Sequence, residues 1–377
     1  MTHSLRDTAN LKIAAIDIYP FDIRMREPFR IATMTAHSSP NVLVHIRTND
    51  DLSGWGEASP LHSIAGETQA ICLAAAREIA PILIGQNPLE IASLVAQMNA
   101  FLPHNTTIKG AFDMALYDIA AQAAGLPLYR FLGGRLRPME SDLTIAICEP
   151  QMAGRKARAI TAEKGFRIIK VKLGATFEED DARLRAIREA VGPDITLRVD
   201  ANQAWDRTTA IRSLKAFTAY NIEFCEQPLC AYDVAGLRLV SEAVSIPLMA
   251  DEALFSPAEA LRLVTEEAAP YFNIKLSKSG GIHNALKIAA IAEASGRKCM
   301  VGCMLESRLG LAASAHFACA SETVCFYDLD SCYDHAEEPI EGGIQYKDGL
   351  IQLPETPGIG AAPTPETLGH MRKANAV

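Results

Sequence analysis

A chain of 377 residues, 49% hydrophobic and 21% charged, has the makeup of a soluble globular protein with a large core. That length holds a full α/β barrel plus a smaller unit, or two to three ordinary domains. The formal charge of −9, with no Lys/Arg cluster to offset it, argues against a nucleic-acid partner.

In chain order, the opening "MTHSLRDTANLKIAAIDIYP" has no apolar segment long enough for a signal peptide or a membrane span, so no membrane partner is expected. "LKIAAIDIYPFDI", "NVLVHIRTND" and "SGWGEAS" alternate polar and apolar positions as strands do, with Asn49, Asp50 and Asp51 supplying a turn. From about Thr68 to Leu132 the period becomes helical, in "AICLAAAREIAPIL" and "KGAFDMALYDIAAQAAG". This predicts an N-terminal α+β unit. After Ser141, eight short apolar runs follow: "LTIAIC", "RIIKVKL", "ITLRVD", "IEFCEQP", "IPLMADE", "YFNIKLS", "KCMVGC" and "TVCFYDLD". Most are separated by an amphipathic helix such as "DDARLRAIREAVG", the mark of successive βα units. The fold class is α/β, and a barrel fits better than a doubly wound open sheet, since no GxGxxG turn is present. After Asp330 the chain turns irregular, and "EGGIQYKDGLIQLPETPGIG" reads as a hairpin and tail returning to the first unit. The nine cysteines lack a CxxC pair and several fall in apolar runs such as "IEFC" and "TVCF", which suits buried reduced thiols in the cytoplasm.

Ionisable residues recur at the strand ends. Lys172, Asp200, Glu226, Asp251 and Lys275 are 28, 26, 25 and 24 residues apart, about one βα unit each. In a barrel these ends converge on the mouth where active sites form. Asp200, Glu226 and Asp251 are hard oxygen ligands without a thiol or imidazole in register, a set suited to Mg²⁺, with Mn²⁺ as substitute, and not to zinc. A carboxylate just past a strand also serves as a helix N-cap, but three at successive strands favour the metal. Lys170 and Lys172, two apart on one strand, share a face. Each disfavours the other's ammonium form and burial pushes the same way, so one amine is expected to be neutral near pH 7. Such a base beside a divalent cation removes a proton next to a carboxylate, the enediolate being stabilised by the metal. Lys275 would face the ion from the other side and return the proton.

"KVK", "RVDANQAW", "CEQPL", "MADEAL" and "NIKLSKSGGI", in this order and spacing, resemble the enolase superfamily in its muconate-lactonising subgroup. The resemblance covers almost the whole chain, including "ALYDIAAQAAGLPLYRFLGG". It implies an α+β capping domain over residues 1–135, a modified (β/α)7β TIM-like barrel over 136–340, and a segment, 341–377, returning to the cap. "MLESRLG" (304–310) and "YDLD" (327–330) resemble the dipeptide epimerases within that subgroup. That likeness implies a Mg²⁺-dependent exchange of the α-proton of a dipeptide's C-terminal residue between Lys172 and Lys275. Lys170 would tune Lys172 and touch the substrate carboxylate, and Asp328 and Asp330 would bind the α-ammonium. A homo-oligomer is also implied. Two aspartates two apart on a strand point the same way, which suits a cationic head.

Departures from the pattern are informative. Members acting on Ala-Glu carry an arginine in the capping loop where this chain has Met34, with Arg30 nearer the turn. Losing that bidentate carboxylate partner, with Ile64 nearby, predicts a preference for apolar or small side chains. "DEA" stands where "DES" is usual, and Ser331-Cys332 replaces Thr-Pro. Among the remaining residues, Arg198, Asn202 and Gln227 are expected to support the ligands, and Glu252 to orient Lys275 or cap a helix. Lys278 is expected to face outward, Glu306 to approach the substrate, and His316 to be a satisfied helix residue. Competing readings are an N-acylamino acid racemase, o-succinylbenzoate synthase or muconate cycloisomerase, and a catalytically silent ligand-binding barrel.

Overall fold

The computed structural model describes residues 10–371 together with 375 and 376; the first nine residues of the opening segment, and 372–374 and 377 of the tail, lie outside the described residues. Strands β1 (Ile13–Arg30), β2 (Thr35–Thr48) and β3 (Ser53–Ala58) form an antiparallel sheet, and Asn375–Ala376 pairs with β1 at its edge. Five helices follow: α1 (His62–Ala65), α2 (Gln69–Leu83), α3 (Ile91–Phe101), α4 (Thr106–Ala123) and α5 (Leu128–Phe131). Helix α4 is buried from Thr107 to Ala121, because it lies between the antiparallel sheet and the barrel. It approaches β3 closely through glycines two apart on one strand face. A Cβ on Gly54 would strike the carbonyl of Ala115, and one on Gly56 that of Ala111.

All eight apolar runs are strands: β4 (Leu143–Ile145), β5 (Ile168–Lys172), β6 (Thr196–Asp200), β7 (Ile222–Glu226), β8 (Leu248–Ala250), β9 (Tyr271–Ile274), β10 (Lys298–Gly302) and β11 (Val324–Asp328). They are parallel and pair in sequence order from β4 to β11. The seam between β11 and β4 has no strand ladder among the described residues but is drawn together by Asp142 N–H on Tyr327 O and Leu329 N–H on Ser141 Oγ. The result is a nearly closed barrel. Helices α6 (Pro150–Ala162), α7 (Phe177–Val191), α8 (Arg207–Phe217), α9 (Val234–Ala243), α10 (Pro257–Thr265), the single turn α11 (Leu276–Ser279), α12 (Ile282–Ala294) and α13 (Arg308–Ala320) connect the strands.

Capping residues fix where these helices start. Thr176, Asp206, Asp233, Ser256 and Ser307 cap α7, α8, α9, α10 and α13 with their own side chains. Asp200, Glu226, Asp251 and Glu252 are none of these, so the capping alternative for them falls away. The carboxyl-terminal segment meets the capping unit at Leu128, whose N–H donates to Gly358 O, and at Asp118, which accepts from Trp55 N–H and Ile359 N–H. No helix among the described residues is long and apolar enough to cross a membrane. The nine cysteines are free, but Cys325, in the run "TVCF", is exposed, because alternation on β11 turns it away from the core; Cys230 is exposed as well.

The β3–α4 contact yields a direct test. Gly56→Ala forces a methyl group against a backbone carbonyl that cannot rotate away, which destabilises by about 1–3 kcal/mol or more. Thermal melting should register a clear loss, and an unchanged midpoint would contradict this packing.

Candidate active site

Alternation on β5 turns Lys170 and Lys172 to the barrel interior, where they are 1% and 7% exposed. The parallel register sets Lys172 beside Asp200, and Asp200 beside Glu226, on neighbouring strands. Lys172 Nζ lies 2.6 Å from Asp200 Oδ2. Lys170 Nζ lies 2.7 Å from both Glu226 Oε2 and Asp328 Oδ2, and 3.3 Å from Asp200 Oδ2. Across the mouth, Lys275 Nζ is 2.8 Å from Asp251 Oδ2. These partners make Lys170 the charged amine of the pair. Burial pulls its pKa down, but Asp328, Glu226, Asp200 and Asp142 outweigh burial and hold it well above the ordinary lysine value. Lys275 is raised in the same way, with Asp251 and Glu226 overcoming its burial.

Seven carboxylates (Asp142, Asp200, Glu226, Asp251, Glu252, Asp328 and Asp330) are buried in this region with five cations (Lys170, Lys172, Lys275, Lys278 and Arg198). Two negative charges are left over if all ionise. The strain is visible in the acids. Burial and Asp200 push Glu226 up to about 7, burial and Asp251 push Glu252 to about 8, and burial and Asp328 push Asp330 to about 6. Glu226 Oε2 has no donor in hydrogen-bond geometry despite the nearby Lys170, and Asn202 Oδ1 and Glu252 Oε2 have none either. Surplus charge, orphaned oxygens and an all-oxygen donor set on three adjacent strand ends fit one hard divalent cation.

The acid oxygens are drawn toward the lysines. Among the described residues, the His/Cys/Asp/Glu triplet with ligand atoms mutually within 4.8 Å is instead Cys303, Asp328 and Asp330. That trio is satisfied without an ion. The Cys303 thiol, its pKa raised well above normal by burial and Asp330, lies 3.6 Å from Asp330 Oδ1 as a donor. Asp330 Oδ2 accepts from Thr144 N–H at 2.6 Å, and Asp328 holds Lys170.

Lys170, Lys172, Lys275, Asn202, Asp328, Asp330, Met34 and Ile64 all line one cavity, between the barrel mouth and the capping unit. Sequence reasoning missed Thr144, Cys303, Met304, Leu305, Leu61, Phe29, Ile31 and Ala36, which complete its wall. It also missed Asn273, whose Nδ2 donates to Glu226 Oε1 at 2.6 Å. Its position two before Lys275 on one strand face was the available signal.

Other expectations are corrected. Glu306 does not line the cavity: its carboxylate accepts from Ser277 Oγ–H at 3.0 Å and Met304 N–H at 2.5 Å. Glu252 is absent from the lining too, and no hydrogen bond or ion pair joins it to Lys275; it accepts from Asn202 Nδ2–H at 3.1 Å. Arg198 bonds Asp142 and Glu223 and lies over Phe224 and Phe326, inside the barrel and away from the three acids. Lys278 is fully buried, because α11 curls it back to within 2.5 Å of Asp251 Oδ1. Gln227 does support a ligand strand, its Oε1 accepting from Asp251 N–H and Ala253 N–H. Asn202 donates its backbone N–H to Asp200 Oδ1 at 2.9 Å. His316 is a satisfied core residue, its ring nitrogens meeting Tyr129 N–H and Ile359 O.

The family model for the mandelate racemase / muconate lactonizing enzyme N-terminal domain matches residues 15–133, and the one for the enolase C-terminal domain-like fold matches 152–367. The chain is 42% identical to a D-Ala-D/L-Ala epimerase of Cytophaga hutchinsonii, covering 96% of this chain and 98% of that protein. It is 39% identical to a hydrophobic dipeptide epimerase of Enterococcus faecalis, covering 93% and 99% respectively. The crystal structure of the dipeptide epimerase from Cytophaga hutchinsonii, in complex with Mg and D-Ala-L-Val, superposes with a TM-score of 0.95 over 97% of this chain and 100% of that one, at 42% identity. With both halves matched and the architecture shared from end to end, the chain belongs to the mandelate racemase / muconate lactonizing enzyme group of the enolase superfamily.

Proposed function

We propose that this protein is a Mg²⁺-dependent dipeptide epimerase, an isomerase that inverts the α-carbon of the dipeptide's C-terminal residue. One observation carries the reading: Lys172 and Lys275 stand at the ends of β5 and β9, four places apart in an eight-strand order, and face one cavity. Amines half a barrel turn apart suit removal of a proton from one side of a carbon and its return on the other.

Asp200, Glu226 and Asp251 would hold the Mg²⁺, with Mn²⁺ as a substitute. The ion supplies positive charge beside the substrate carboxylate and so lowers the cost of negative charge gathered as the α-proton leaves. Lys170, held charged among Glu226, Asp200 and Asp328, would contact that carboxylate and fix the neighbouring Lys172. Lys172 and Lys275 would hold and exchange the α-proton. Asp328 and Asp330 would grip the α-ammonium at the other end, each already shaped to accept hydrogen bonds from cations or N–H groups.

The cavity wall supports a preference for apolar or small side chains. Met34, Ile64, Leu61, Met304 and Leu305 line it, whereas a glutamate side chain would need a cationic partner there. The names of the two relatives, an Ala-Ala epimerase and a hydrophobic dipeptide epimerase, agree with that. The N-acylamino acid racemase, o-succinylbenzoate synthase and cycloisomerase readings fit less well, because their substrates bring no ammonium to Asp328 and Asp330.

Two outcomes are expected for α-proton exchange in D₂O. Lys172→Ala and Lys275→Ala each lower epimerisation about 10²–10⁴-fold, and each keeps exchange of only one configuration, a different one for each variant. Loss of the same configuration in both, or near-normal turnover in either, contradicts the two-sided arrangement. N-acetylation of a good dipeptide substrate should slow exchange about tenfold or more, as charge-assisted hydrogen bonds are lost. Equal rates for free and acetylated dipeptides would remove Asp328 and Asp330 from substrate binding.

A further inference from the structure

Glu57, on β3, is fully buried and does not line the cavity. Its carboxylate accepts four hydrogen bonds. Asn41 Nδ2–H (2.8 Å) and Ser307 N–H (2.9 Å) reach Oε1, while Ser307 Oγ–H (2.6 Å) and Gly310 N–H (2.9 Å) reach Oε2. A side-chain carboxylate from the capping unit thus sits at the N-terminus of α13, where backbone N–H groups and the helix dipole favour an anion. Gly310, whose missing Cβ would crowd Glu57 Oε2 and the Glu306 side chain, makes room for it.

The segment that leads into α13 supplies the barrel side of the cavity wall, through Cys303, Met304 and Leu305. Side chains, and not a strand ladder, hold its backbone. Leu305 N–H donates to Ser59 Oγ (3.1 Å), Leu305 O accepts from Asn41 Nδ2–H (2.9 Å), and Met304 N–H donates to Glu306 (2.5 Å). Asn41 therefore ties Leu305 to Glu57 directly. Just past the end of β3, the chain runs on from Glu57 through Ser59 to Leu61, which forms the opposite wall.

We infer that Glu57 is a positioning residue that sets side-chain preference by fixing residues 303–307 against the capping unit, so that Met304 and Leu305 stand at a defined distance from Leu61 and Ile64. The inference deepens the dipeptide-epimerase reading and rests on it for the choice of substrates. Glu57→Gln replaces an acceptor oxygen with an NH₂ group in a ring of donors, leaving at least one donor unanswered and loosening the wall. The chemistry, carried by other residues, is left in place.

The test compares wild type with Glu57→Gln and with Ser59→Ala, which removes only the side-chain acceptor of Leu305 N–H. Two readouts are taken: steady-state α-deuterium uptake by L-Ala-L-Ala and L-Ala-L-Phe, and amide hydrogen exchange at residues 304–307. For Glu57→Gln the ratio of kcat/KM values, Ala-Ala over Ala-Phe, should fall on the order of tenfold. The Ala-Ala KM rises while its kcat stays within about threefold, and the 304–307 amides exchange at least about tenfold faster. Ser59→Ala moves the same quantities in the same direction by about threefold, and carries the test if Glu57→Gln does not fold. A parallel fall in both substrates with an unchanged ratio overturns the inference, as does unchanged amide protection. A wild type that turns over neither dipeptide sinks the proposed reaction instead, and amide exchange in the variants then decides whether Glu57 holds this segment.

Discussion

Charge that has been taken out of water must be balanced where it lies, and the barrel mouth carries this demand further than any other part of the molecule. Three strand ends bring Asp200, Glu226 and Asp251 to full burial, and the lysines of β5, Lys275 just past β9, and Lys278 of α11 close on them. The lysines do not complete the balance, so several acids are driven toward their protonated forms. A divalent cation would restore them and release amines for work elsewhere. On this view the lysine pair "KVK" is not an anomaly in a buried strand. Lys170 is held charged by its acid partners, and Lys172 is the residue proposed to move the proton.

The capping unit extends the same logic across the interface between the two parts. Asp113 of α4 accepts from the first backbone N–H groups of α12, and Glu57 of β3 from those around the start of α13. Two buried carboxylates thus dock the cap onto helix N-termini at the catalytic face, where each anion answers groups that a helix leaves unpaired. The apolar cavity wall is shared between the two parts, so the fit of the cap is also the shape of the pocket. The close approach of α4 to β3, made possible by Gly54 and Gly56, places the strand that bears Glu57.

Much of this was legible from the residues alone. Eight apolar runs became eight strands, and the lysines and acids spaced by one βα unit met at one mouth, because a barrel turns a one-dimensional interval into a shared height. Depth and direction were not legible. Arg198 shares a face with Asp200 but lies away from the ligands, and alternation gives no account of depth. Lys278 was expected to face outward; the turn of α11 brings it back onto Asp251. Glu306 was expected near the substrate from its place in the loop after a barrel strand; its neighbours Met304 and Leu305 reach the cavity, while its own side chain turns to Ser277. Glu57 gave no signal, since its partner Ser307 lies 250 positions away and a glutamate within a glycine-rich strand reads as an ordinary surface charge.

The central claim is that Asp200, Glu226 and Asp251, and not the tighter cluster of Cys303, Asp328 and Asp330, hold one divalent cation. Titration with Mn²⁺, followed by its electron paramagnetic resonance signal, tests it without reference to turnover. The account predicts one site per chain, displaced by Mg²⁺, abolished by Asp200→Asn or Glu226→Gln, and retained in Asp328→Asn and Cys303→Ser. A site that survives the first two substitutions, or disappears with either of the last two, would contradict it.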